Sequence, residues 1–96
     1  MNPAIQPADL GFFSALARAG SLSAAARDLR VTTAAVSRHL AQMEKRLGVL
    51  LVNRTTRRMG LTPEGEVYLE HARRILGDID NLGELLGGAQ SSPQGL

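Results

Sequence analysis

Apolar and polar positions along the chain alternate with helical periods in four places and with a strand period in one. After Pro7, residues 8–19 carry Leu10, Phe13, Leu16 and Ala17 on one face and stop at Gly20, which predicts a first, core-forming helix. Ser21 stands as an N-cap for a short second helix over 22–29, whose Ala24-Ala25-Ala26 run lets a neighbouring helix approach closely. Thr32 caps a third helix over 33–47, ended by Gly48 where a left-handed residue is needed. Within it Val36, Leu40, Met43 and Leu47 form one stripe, which must face the core. The opposite face holds Ala34, Arg38, Ala41 and Lys45, flanked by Ser37 and Gln42, with Thr33 at its N-terminal end. Residues 50–54 and 59–61 read as two short strands around a polar tip, Thr55-Thr56-Arg57-Arg58. Thr62-Pro63-Glu64 then starts a fourth helix over 63–86 with a capping hydroxyl, a proline in the first turn and acids at the positive dipole end.

Along that fourth helix Tyr68, Ala72, Ile75, Ile79, Leu82 and Leu86 recur at alternating steps of four and three, a coiled-coil-like seam. The seam is longer than one small domain can cover, so pairing with a second copy is expected. Gly77 and Gly83 each weaken the helix by roughly 1 kcal/mol relative to alanine, so it needs a partner. Residues 87–96 have linker composition and are expected to be flexible. The organisation expected is therefore a head over 1–62, a dimerisation helix over 63–86 and a linker over 87–96.

Composition narrows the function. The chain of 96 residues has room for one small domain, and its aromatics are limited to Phe12, Phe13 and Tyr68, so the core is aliphatic and a large aromatic ligand pocket is not expected. With no cysteine, disulfides, thiolate metal sites and cysteine nucleophiles are excluded. No apolar run approaches a membrane span and no signal-peptide layout is present, so cytoplasmic residence is expected. The net charge of +2 conceals an asymmetry: residues 1–62 carry nine basic side chains against three acids, whereas residues 63–96 carry Arg73 and Arg74 against six acids. A basic head on an acidic helix suits a polyanion-binding module.

A short helix, a turn of about three residues and a longer helix with a cationic outer face make a helix-turn-helix, whose second helix lies in the major groove of DNA. Thr33, Ala34 and Ala35 are small enough for the backbone to approach base edges, and Arg38 is long enough for a guanine edge or a phosphate. Ser37 and the amides near Thr32 and Thr33 suit phosphates. Arg54 reads as a phosphate contact or an ion-pair partner. His39, at the edge of the core stripe without a second ligand at metal spacing, reads as a packing or phosphate-edge residue, and His71 with Glu66 and Glu70 as a solvated face. No paired acid and base, nucleophile or phosphate loop is present, so no reaction, metal or cofactor is expected.

The spaced pattern Ala25-Ala26-x-x-Leu29-x-Val31, Val36-Ser37-Arg38, Glu44-x-x-Leu47-Gly48-x-x-Leu51, Arg54-Thr55 and Leu61-Thr62-Pro63-Glu64-Gly65 resembles the signature of LysR-type transcriptional regulators over residues 10–76. The resemblance implies a mainly α fold, a winged helix-turn-helix of three helices and a short two-stranded wing, followed by a long linker helix that pairs with its copy. It implies double-stranded DNA with an interrupted dyad as the partner, read by Thr32, Thr33, Ala34, Ser37 and Arg38, with Arg57 of the wing, flanked by Arg58, entering a minor groove. It also implies a separate effector-binding domain, so an inducer site is not expected within these residues. The family commonly has Ser-Gln-Pro where this chain has Thr32-Thr33-Ala34, and Thr33 cannot make the two-pronged adenine contact open to glutamine. The competing expectation is a winged-helix module used for protein contacts alone, since this fold serves that purpose too.

Overall fold

Short-range capping sets the helix boundaries of the computed structural model, which describes residues 4–54 and 59–91, and for 88–91 the course of the backbone alone. Helix α1 (Pro7–Ala19) has proline in its first turn and ends at Gly20, whose φ of 83° lets its amide return to the Leu16 carbonyl. Helix α2 (Leu22–Leu29) starts where the Ser21 hydroxyl accepts from the Ala24 amide at 3.1 Å. Helix α3 (Thr33–Leu47) starts where Thr32 Oγ1 accepts from the Ala35 amide at 3.0 Å and stops at Gly48, with φ 76°. The end of α2 was not anticipated: Arg30, not glycine, takes the left-handed conformation with φ 60°, while the Val31 amide reaches back to the Ala26 carbonyl at 3.0 Å. The turn between α2 and α3 is too short to reverse the chain otherwise, and the side chain there carries a steric cost of roughly 1–2 kcal/mol.

The wing is shorter than the sequence suggests. Strand β1 (Val52–Asn53) pairs antiparallel with β2 (Gly60–Leu61), Val52 opposite Leu61 and Asn53 opposite Gly60. Residues 50 and 51 leave the ladder because their polar groups find other partners. Thr62 Oγ1 donates to the Leu50 carbonyl at 2.6 Å, the Thr62 amide donates to Leu51, and the Leu51 amide is taken by Glu44. The expected tip, Thr55, Thr56, Arg57 and Arg58, lies outside the described residues.

Helix α4 (Pro63–Ser91) runs unbroken for 29 residues, about 43 Å, so 87–91 is helix and not the linker expected. Gly87 and Gly88 weaken a helix without obstructing it.

The core is a three-helix cluster of Phe13, Leu16, Ala25, Val36, Leu40 and Met43, closed by Leu51 and Val52 from the wing and Leu69 and Ala72 from α4. Each of the larger side chains contributes about 1.5–3 kcal/mol by leaving water. The adjacent Phe12 is buried as well, stacked on His39 with ring centroids 3.8 Å apart. Helix α1 packs on α2 and α4, and α2 on α3. Gly65 makes the passage into α4 possible, since a Cβ there would sit 2.0 Å from the Leu51 carbonyl oxygen.

Candidate nucleic-acid interface

Helix α3 turns Val36, Leu40 and Met43 inward, so the helical period places Ala34, Arg38, Ala41 and Lys45 outward, and all four are exposed. Thr33 and Gln42 are exposed beside them and Ser37 is half-buried. The result is a shallow face of small side chains with cations about one and three turns along from Ala34. Thr32 is exposed too; its oxygen is engaged as a cap, which leaves the hydroxyl hydrogen to donate outward.

The starts of α2 and α3 open onto one cleft of about 330 Å³, lined among others by Ser21, Ser23, Thr33, Asn53 and Arg54. Backbone amides at helix starts lack intrahelical acceptors and sit at the positive end of the dipole, so two such ends beside a guanidinium give the cleft a positive potential that suits an anion.

Arg54 stands in that cleft already paired: its Nη2 lies 3.1 Å from Glu44 Oε1, with about 40% of the side chain exposed. Of the two readings for Arg54, ion-pair partner and phosphate contact, the structure contains the ion pair and leaves part of the side chain exposed. Glu44 itself is the residue that sequence reasoning missed. Buried on the inner side of α3, its Oε2 accepts from the Leu51 amide at 2.8 Å and the Val52 amide at 3.2 Å. One carboxylate thus ties the outward-facing helix to the first wing strand. The available signal was an acid directly after the core position Met43, eight residues before the strand.

A second buried acid, Asp9 in the first turn of α1, accepts from His39 Nε2 at 2.8 Å and is paired with Arg46 through its other oxygen. His39 therefore packs on Phe12 and is also anchored by Asp9. His71 is exposed, Glu70 pairs with Arg74 at 3.0 Å, and among the described residues no group of His, Cys, Asp and Glu could hold a metal ion.

The expected dimer seam divides in two. Ala72 is fully buried in the chain's own core and Tyr68 is half-buried there, its ring edge-on to Phe13 at 5.1 Å. Burial pushes the Tyr68 phenol up to about 12, helped by the Asp9 charge and opposed by Arg46. Ile75, Ile79, Leu82 and Leu86 are exposed, as is Leu85. At the foot of α4, Ile75 also lines an apolar groove of about 350 Å³ walled by Leu47, Val49, Val67, Tyr68 and Ala72. Among the described residues no helix is long and apolar enough to cross a membrane.

The sequence pattern of the bacterial regulatory helix-turn-helix proteins, lysR family, matches residues 7–66. An HTH-type transcriptional regulator of Xanthomonas campestris pv. campestris (strain 8004) is 41% identical over 87 residues, 91% of this chain and 25% of that protein. The regulator DmlR of Escherichia coli (strain K12) is 41% identical over 88 residues, 92% of this chain and 29% of its own length. The chain thus spans between a quarter and a third of these relatives. Among solved structures, the CbnR_DBD-DNA complex superposes with a TM-score of 0.78 at 36% identity, covering 90% of this chain and 99% of that one. With its match spanning the helix-turn-helix, the wing strands and the start of α4, the chain belongs to the lysR family of bacterial regulatory helix-turn-helix proteins.

Proposed function

We propose that this chain is the sequence-reading part of a dimeric transcriptional regulator that binds an interrupted dyad in double-stranded DNA. The observation that carries the reading is the exposed outer face of α3, small at Thr33 and Ala34 and cationic at Arg38, beside a cleft onto which two helix starts open. Arg38 reads a base edge in the major groove, while Thr32, Thr33, Ala34 and Ser37 make close contacts around it. Arg54 presents the free side of its guanidinium to a phosphate while Glu44 fixes the other side. Arg57 and Arg58 are assigned to the minor groove from the sequence alone. The chain catalyses nothing, acts in the cytoplasm beside its DNA, and needs no small molecule at these residues.

The dimer forms through α4. Its seam is symmetric about Gly77: in an antiparallel pair crossing there, Ile75 faces Ile79, Leu82 comes over the groove beside the buried Ala72, Tyr68 faces Leu86, and Arg74 comes beside Asp80. Ala72 and Tyr68 wall the apolar groove, so Leu82 and Leu86 of one copy fill the groove of the other.

Selection of duplexes from a random pool at near-physiological salt tests the reading, because simple charge attraction fades there. Enrichment of a two-fold symmetric, interrupted motif is expected. Binding without enrichment, or no binding, overturns it in favour of a module that makes protein contacts alone.

A further inference from the structure

Asp9 lies on α1, away from the outer face of α3, and the proposed reading of DNA does not use it. Its surroundings are nevertheless arranged around α3. The carboxylate is buried, and its two oxygens are divided between His39 and Arg46, seven residues apart on α3. Seven residues are about two helical turns, so one group on α1 holds α3 at two levels on the same side. Phe12, also on α1, stacks on the His39 ring at an interplanar angle of 18°, which fixes that ring's plane.

The neighbours of α3 make this anchor matter. The helix pairs in closest contact are α1 with α4, α1 with α2 and α2 with α3, so α3 meets α1 through side chains that bridge a gap. The apolar side chains that α1 and α3 bring to the shared core, Phe13, Leu16, Leu40 and Met43 among them, resist separation, but apolar contacts are non-directional and tolerate rolling. Two hydrogen bonds to one carboxylate do not tolerate it. A roll of about 10° on a helix of radius about 5–6 Å moves a side-chain tip by roughly 1 Å, beyond the tolerance of about 0.5 Å for a preorganised contact.

We infer that Asp9 is a positioning residue for DNA reading: through His39 and Arg46 it sets the roll of α3, and with it the aim of Arg38. The inference rests on the DNA-binding reading above. A residue needed only for stability would, once the variant is folded, leave base preference untouched. A positioning residue changes it.

The test uses the whole chain and the duplex most enriched by the wild type, together with its single-base variants. Asp9→Asn removes the charge and one acceptor, and Arg46→Met removes the second anchor while Asp9 keeps His39. Circular dichroism first establishes that each is folded at the assay temperature; His39→Gln, at a half-exposed side chain, stands in if Asp9→Asn is not. Discrimination between the best duplex and those altered at the base pair read by Arg38 is expected to fall by about tenfold, while binding to unrelated duplex and its salt dependence stay as in the wild type. The double variant is expected to be no worse than either single, because both break one anchor. Folded variants with the wild-type base profile, or with every duplex weakened equally, overturn the inference alone. Absence of any enriched motif for the wild type overturns the DNA reading and this inference with it.

Discussion

Gly65 sits where α4 passes the wing, and the Leu51 carbonyl occupies the space a methyl group needs, 2.0 Å from the ideal Cβ position. Backbone on both sides of that contact cannot swing away as a side chain could. Gly65→Ala is accordingly expected to destabilise the fold by roughly 3 kcal/mol, read as a lower urea midpoint at unchanged slope. Tyr68 offers a second measurement at this scale because it is the only tyrosine in the chain. Its phenol is expected to ionise near 12, not 10, in a spectrophotometric titration of the folded protein. The sign follows from linkage: a pKa raised on folding means that stability is fully present below pH 10 and declines as pH rises from 10 towards 12. Residues whose partners are three or four positions away, such as Ser21, Thr32 and Gly48, were legible in the sequence because the cap and the helix it closes are written together. Asp9, Glu44 and Gly65 were not legible in their roles, since the groups that define them lie 37, 10 and 14 residues away, at Arg46, Arg54 and Leu51.

At the scale of elements, hydrophobic period located all four helices, yet it reports only that a face is buried and not by what. The seam of α4 shows the consequence: Tyr68 and Ala72 serve the chain's own core, whereas Ile75 onward is exposed. The wing was foreseen as a hairpin, but its strands came out at two residues each because Glu44 and Thr62 draw backbone groups of residues 50 and 51 out of the ladder. Linker composition likewise misjudged 87–91, where glycines lower helix stability without ending it. That marginal stretch yields a prediction. A Cβ on Gly83 meets nothing within 4 Å, so Gly83→Ala adds helix propensity without a clash. The gain of about 1 kcal/mol is local. Amide exchange in the distal half of α4 is expected to slow by roughly fivefold, with the core amides unchanged.

For the molecule as a whole, the proposed function divides the work between a basic head that meets the polyanion and an acidic helix that meets a second copy. The exposed apolar side chains of α4 are the test of that division, because their fate differs in monomer and dimer. Ile79 and Leu82 are more than half exposed in the single chain, so placing a charge there asks little of the isolated fold, within about 0.5 kcal/mol. In an antiparallel pair crossing at Gly77 the same positions are enclosed, by Ile75 and by the groove beside Ala72. An unpaired carboxylate buried there costs several kcal/mol, and the two-fold axis makes each substitution count twice. Ile79→Asp and Leu82→Asp are therefore expected to keep the thermal midpoint of the dilute chain while weakening self-association by on the order of 100-fold or more in sedimentation equilibrium. On DNA they are expected to bind one half of the dyad and to lose the preference for two halves at fixed spacing. A variant chain that still sediments as the wild type would place the dimer contact elsewhere. In that case the exposed stripe would have to be covered by something other than a second α4, and the spacing of the two recognition helices would be set by that contact instead.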